Sequence, residues 1–296
     1  MYLQRNYIKL LHLRVRMRLI NEHATLKRKW EQQVASSVQF DFFDQVWVQD
    51  CLHENWVYLC DAHQNPLLRI PFRRKFGVKA YLQPLFIRAF NLAPTAVTEL
   101  TSFMKKKAFV HLNLTVHPHA NQPQGRYQLL KWDGGIEAIR KNYATNLQRI
   151  LKKGQAFEMR DISYQTFETF FRTQKGEQLQ KLTPAAWSRM EKLVSEAQER
   201  RAVRCVGLFD GSELLSVGLF FFYGTRIYFM KGTLNEAGKK VGAMVHLIDA
   251  MLVSCADQYQ QLDFIGSNQE SIAAFYRKFG AKDATYTILK GWLPLV

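Results

Sequence analysis

Acidic residues are scarce in this chain: 25 Asp and Glu stand against 41 Lys and Arg, leaving a formal net charge of +16. A surplus of that size favours an anionic partner, such as the phosphates of a co-substrate, RNA or an anionic membrane surface. Cysteine is scarce too. Cys51, Cys60, Cys205 and Cys255 form no C-x-x-C pair and no Cys/His cluster with zinc spacing. The pattern fits a reduced, cytoplasmic protein without a metal site. Long apolar runs are also missing. In the opening MYLQRNYIKLLHLRVRMRLI, no charge-free stretch reaches the roughly 20 residues of a membrane span. Arginines interrupt the would-be signal region, and no small-residue cleavage site follows. The segment reads as an extension into a first strand, or else as a basic surface-binding segment.

What is present describes a globular chain. Its 296 residues suffice for two domains or one large one, and 47 % of them are hydrophobic. The 21 phenylalanines predict a large aromatic core.

The stretch HPHANQPQGR, residues 117–126, has two prolines and no apolar pattern, which marks a junction. Domains are expected at 1–120 and 121–296. The two sides share an element order. FFDQVWVQDCLHEN predicts a helix, followed by strand, turn and strand in WVYLCDAHQNPLLRIPFRRKFG, with the turn at Asp61–Asn65. PAAWSRMEKLVSEAQERR predicts a helix, followed by strand, turn and strand, with Asp210-Gly211 as a hairpin signal. An internal duplication of an α+β unit follows from this order.

Beyond the junction, Ile136, Ile139, Tyr143, Leu147 and Ile150 recur at spacings of three and four, predicting one amphipathic helix that stops at Gly154. Arg140, Lys141, Arg149, Lys152 and Lys153 lie off that face, as a solvated surface or as an anion-binding ridge. RIYFMKG then reads as a strand feeding a loop with Gly238 and Gly242. A helix follows with Met244, Leu247, Ile248, Met251 and Leu252 on one stripe. Such a loop is either an ordinary turn or a phosphate site, with Lys239 and Lys240 adding charge. His246 and Asp249 read as packing or surface residues. Next, LDFIG ends at Gly266. Ser267 and Glu270 have capping-box spacing for a helix that closes at Gly280, and a last strand follows.

The segment Asn268 to Ala281, with Tyr276, Lys278 and Gly280, resembles the Tyr-x-Lys-x-Gly motif of the GNAT (N-acetyltransferase-like) superfamily. With the basic helix YATNLQRILKKG, it is similar to the bacterial-type Fem aminoacyltransferases and the BioF2-like acyltransferase group, whose chains hold two tandem GNAT folds. The resemblance covers most of the chain. It implies an α+β fold of two tandem GNAT-like domains, each a mixed, mostly antiparallel sheet flanked by helices. In the second, the strands RIYFMKG and LDFIG are expected to splay into a crevice for the acyl donor. The first repeat, poor in glycine at the equivalent loop, is expected to be structural.

The activity implied is transfer of an acyl or aminoacyl group from a CoA thioester or aminoacyl-tRNA to a small-molecule or peptide amine, with no tightly bound cofactor. Tyr276 would be the general acid, and Asp263 a proton acceptor or a cap for backbone donors. Met230, Lys231, Lys239, Lys240, Gly242, Ala243 and Asn268 would contact the donor. Arg149, Arg73, Arg74 and Lys75 would contact an anionic acceptor such as a UDP-linked precursor. The loop Lys239-Lys-Val-Gly242-Ala-Met244 departs from the coenzyme A pattern Arg/Gln-x-x-Gly-x-Gly/Ala at its first and last positions. Ile265 stands where relatives often carry Glu. These departures keep a non-catalytic module that binds RNA or a glycan precursor as the alternative.

Overall fold

A computed structural model describes residues 17–37, 40–75, 77–92, 100, 109–115, 124–153, 156–176, 182–266 and 268–290. Two compact units emerge. One is Met1–Gln124 together with Tyr286–Val296, and the other is Gly125–Thr285.

The first unit runs β1 (Arg18–Asn21), α1 (Ala24–Ser36), a 3-10 turn (Phe42–Asp44), α2 (Val46–Leu52), β2 (Trp56–Cys60), β3 (Pro66–Lys75), β4 (Val78–Leu82), β5 (Phe90–Asn91) and β6 (Phe109–Thr115). Strands β1 to β4 pair antiparallel in order, and β4 and β5 pair parallel to β6. Leu26, Trp30 and Val34 recur every four residues and form the buried stripe of α1. Trp30 meets Phe40 and Tyr58 edge-on. The β2–β3 turn closes because the Asp61 Oδ1 accepts the N–H of His63 and of Asn65, at 2.9 and 2.8 Å. Arg69 is 0 % exposed. It bonds Glu22, Gln49 and Asp50 and lies 4.4 Å over the Trp56 ring, so its charge is paired as burial requires.

The second unit begins with β7 (Gln124–Lys131), α3 (Ile136–Arg140), α4 (Thr145–Leu151), β8 (Glu158–Asp161), α5 (Tyr164–Lys175), α6 (Pro184–Glu199), β9 (Val203–Asp210) and β10 (Glu213–Tyr223). It continues with β11 (Arg226–Leu234), α7 (Glu236–Val241), α8 (Ala243–Cys255), β12 (Gln261–Asp263), α9 (Glu270–Arg277) and the start of β13 (Lys282–Lys290), whose residues from Tyr286 onward belong to the first unit. The sheet order is β7-β12-β11-β10-β9-β8. Only β11 and β12 are parallel; β7–β12, β11–β10, β10–β9 and β9–β8 are antiparallel. Ile139, Leu147, Leu247, Ile248 and Phe279 pack on Ile227, Phe220 and Leu262 in one core. Phe167, Phe171 and Trp187 of α5 and α6 form a separate aromatic row. The distal half of β13 pairs with β6, Thr287 opposite Leu114 and Lys290 opposite His111.

One expectation fails here. The amphipathic stretch Ile136–Ile150 is two helices, with a break at Lys141–Ala144. The Ala144 N–H leaves helical bonding and donates to the Lys278 carbonyl at 2.7 Å. The stripe survives because Ile139, Tyr143 and Leu147 all stay buried in the same core. Gly154, the expected stop, lies outside the described residues.

Candidate functional site: the parting of two parallel strands

β11 and β12 pair for three residues only: Arg226 with Gln261, Ile227 with Leu262 and Tyr228 with Asp263. β11 continues to Leu234, while the other chain turns away through Ile265 at φ +57° and Gly266 at φ +95°. A β-branched residue in the left-handed region is strained, and such strain persists only where the surroundings impose it. Here they do. The Phe264 N–H donates to the Gln128 carbonyl at 3.0 Å, and the Ile265 N–H to the Asp263 Oδ1 at 2.7 Å. A Cβ on Gly266 would sit 2.5 Å from the Tyr127 Cβ and 2.7 Å from the Arg126 carbonyl oxygen. The glycine therefore lets the departing chain cross directly over β7. Asn268 completes the crossing, its Oδ1 accepting the Arg126 N–H at 3.0 Å.

On the other lip, Phe229 lies opposite Phe220 and Lys231 opposite Leu219, so Met230 is an extra residue in β11. Such a bulge leaves its extra residue outside the ladder. The Met230 side chain is buried. Burial, and then Lys175, pull the Lys231 ammonium below the ordinary lysine range.

Tyr276 of α9 stacks on Phe264 and meets Phe229, the residue before the bulge, edge-on at 6.3 Å. Burial pushes its phenol up to about 12. Its hydroxyl has no hydrogen-bond partner among the described residues. Asp263 is 0 % exposed, with its carboxylate 3.7 Å from the Arg226 guanidinium as well as on the Ile265 N–H. It holds the strained turn rather than facing solvent.

The glycine loop takes another form than expected. Gly238 lies inside α7, where a Cβ would come within 2.5 Å of the Leu215 carbonyl oxygen. Gly242, at φ +71°, links α7 directly to α8. A Cβ on it would sit 2.9 Å from the Ile150 Cγ2. Ala243 is 0 % exposed. Helix geometry and Ile150 thus account for the glycines. Lys239 pairs with Glu236, and Lys240 is exposed.

The structure brings Met230, Phe229, Phe264 and Tyr276 together at the parting of the strands. Arg149 is exposed on α4, next to the Ile150 that covers Gly242. Arg73 and Arg74 are exposed on β3 of the first unit, where Lys75 pairs with Val78 through its backbone. Ser267, half of the expected capping box, lies outside the described residues. Gln269 is the N-cap of α9, and Glu270 instead takes Arg126 and Arg277. Asp249, read as packing or surface, is buried and takes the Arg140 guanidinium in a two-pronged bond at 3.0 and 2.6 Å. That anchors α3 and removes Arg140 from the supposed basic ridge. The aromatic pair Phe264–Tyr276 was not expected; its only trace in the sequence is Phe at the end of a strand beside a motif tyrosine. Beneath α3 and α4 lies a cleft of about 420 Å³ whose walls include Arg140, Lys141 and Lys152. Among the described residues, no His, Cys, Asp and Glu group suits a metal ion, and no helix is long and apolar enough to cross a membrane.

An open sheet whose two central parallel strands part beside a bulge defines the acyltransferase-type fold of the N-acetyltransferases, and residues 138–276 match the acetyltransferase (GNAT) domain family. The chain as a whole has the fold of FemX. Similarity to the FemX crystal structure covers 90 % of this chain and 96 % of that one, at 10 % identity and a TM-score of 0.60. A conserved protein of unknown function from Bacteroides thetaiotaomicron is similar over 92 % of this chain and 99 % of its own, at 6 % identity and a TM-score of 0.52. A tandem GNAT protein from the clavulanic acid biosynthesis pathway aligns over 92 % and 97 %, at 10 % identity and a TM-score of 0.49. No curated protein sequence matches the chain.

Proposed function

We propose that the second unit transfers an acyl or aminoacyl group from an activated donor to an amine of a small molecule or peptide. The observation that carries this reading is the parting of β11 and β12 after Tyr228 and Asp263, with the Met230 bulge on one lip and Tyr276 beside it.

In the reaction, the amine nitrogen attacks the acyl carbonyl. A C–N bond forms and the C–S or C–O bond to the donor breaks. The amine loses a proton, and the leaving thiolate or ribose oxygen gains one. The backbone at Met230 and Lys231, beyond the last pair of β11 with β12, meets the carbonyl oxygen as it gains charge. A donor of that kind is typically worth about 3 kcal/mol. Tyr276 protonates the leaving group; burial keeps its phenol protonated at neutral pH. Asp263 acts as a positioning residue that holds the turn at Ile265.

The departures of the loop Lys239–Met244 from the coenzyme A pattern favour an aminoacyl-tRNA over an acyl-CoA as donor. The net charge of +16 suits that polyanion. The test supplies the full chain with aminoacyl-tRNA or acetyl-CoA and a mixture of amines, and follows deacylation and thiol release. Deacylation that requires Tyr276 supports the reading. Thiol release alone retains acyl transfer but replaces the donor. Binding of RNA without consumption of either donor overturns catalysis in favour of a binding module.

A further inference from the structure

The hairpin of β3 and β4 outruns the sheet that carries it. β2 accompanies β3 only as far as Pro71, which lies opposite Trp56. β6 joins β4 only from Tyr81. Between these points Arg73 pairs with Ala80, Arg74 with Lys79 and Lys75 with Val78, with no strand on either side among the described residues. A two-stranded ribbon standing alone is marginal in water, so this one calls for a partner.

Its chemistry is one-sided. The sequence Arg73-Arg74-Lys75-Phe76-Gly77-Val78-Lys79 holds four cations and no acid. Arg73 and Arg74 are exposed and form no ion pair among the described residues. Arg74 lies directly across from Lys79, and like charges in that position repel. The Lys79 ammonium is propped 4.5 Å over the Phe72 ring and held by the Asn21 Oδ1 at 2.7 Å. Burial, and then Arg74, lower its pKa. At the tip, Val78 is 53 % exposed.

We propose that this ribbon docks the protein on an anionic phospholipid surface, with the Val78 end entering the headgroup layer and the cations meeting lipid phosphates around it. Consecutive strand residues point to opposite faces, so Arg73 lies on one face of the ribbon and Arg74 with Lys79 on the other. An RNA helix engages one face of such a ribbon and has no use for an exposed valine at its end. A headgroup layer surrounds both faces and accepts the apolar tip.

The test is sedimentation of the full chain with phosphatidylcholine vesicles, with and without phosphatidylglycerol, at low and high salt. The wild type is expected to pellet with the anionic vesicles alone. Arg73→Glu with Arg74→Glu should weaken partitioning at least 25-fold, at roughly fivefold per cation lost. Val78→Asp should weaken it while leaving the net basic charge nearly intact. Lys192→Glu with Lys282→Glu, both exposed in the second unit, reverses as much charge elsewhere and should retain most binding. Equal loss in that control, or equal binding to neutral vesicles, overturns the proposal. So does a ribbon variant that keeps vesicle binding but loses binding to duplex RNA, which would make RNA the occupant. Circular dichroism and the melting temperature of each variant separate lost docking from lost folding.

Discussion

Tyr276 stacks face to face on Phe264, with ring centroids 4.2 Å apart and planes 17° from parallel. The strand that breaks at the crevice thus fixes the ring of the tyrosine beside it, the one proposed as the general acid. Tyr276→Phe keeps the stack and removes only the proposed acid. Donor turnover should fall ~10²- to 10⁴-fold, with stability within about 1 kcal/mol of wild type. Tyr276→Ala should lose the ring packing as well, about 3 kcal/mol by denaturant melts. A phenylalanine variant with full turnover would remove Tyr276 from the mechanism.

Gly280 packs against the break between α3 and α4. Its φ is +86°, and a Cβ there would sit 2.6 Å from the Asn142 Cβ. Gly280→Ala is expected to destabilise the protein by about 3 kcal/mol, strain and clash combined. Gly211→Ala, at φ +58° in a turn with nothing within 4 Å, should lose about 1 kcal/mol. Equal losses in urea melts would show that the Asn142 contact contributes nothing.

At Gly242 the expected rescue is structural. Gly242→Ala brings a methyl against Ile150 and should lower the melting temperature. Ile150→Ala in the same chain should restore part of that loss by removing the Cγ2 and Cδ1 atoms that the new methyl meets, while the φ strain remains. If the double variant melts no higher than Gly242→Ala, Ile150 is not the group that demands glycine.

Asp44 predicts a pH dependence in the first unit. It is fully buried and bonded by the Asn91 side chain and by the Asp41 N–H at 2.9 Å. Burial, then the neighbouring Asp41, push its carboxyl up to about 8. A raised pKa means that the folded state holds a proton that the unfolded chain releases near pH 4. Its contribution is full below that pH and is lost as the pH rises toward 8, at a slope of at most about 1.4 kcal/mol per unit. Asp44→Asn should flatten the fall in stability between pH 5 and 8. An unchanged slope would show that the carboxyl is ionised throughout.

The sequence was legible where local chemistry decides the structure. Asp210-Gly211 closes β9 onto β10 with Gly211 at φ +58°, and Asp61 closes the earlier turn. The helix of α6 and the apolar stripe of α8 are visible in the sequence alone. Legibility ended where a distant group outbid a local one. The Ala144 N–H chose the Lys278 carbonyl, and Glu270 chose Arg126, 144 residues away. Periodicity could not reveal the α3–α4 break, because both helices bury the same stripe. Nor does spacing encode a bulge: Met230 becomes unpaired only through its register against β10.

The strand Lys282–Lys290 is shared between the units, with Tyr286 onward belonging to the first. During synthesis, most of the first unit emerges before any of the second, yet β6 must wait for Thr287–Lys290. Its edge stays unsatisfied while some 170 further residues are made, at roughly 5–20 residues per second. Maturation of the first unit is therefore gated by the last strand, and a ribosome stalled within α9 should present a protease-sensitive first unit.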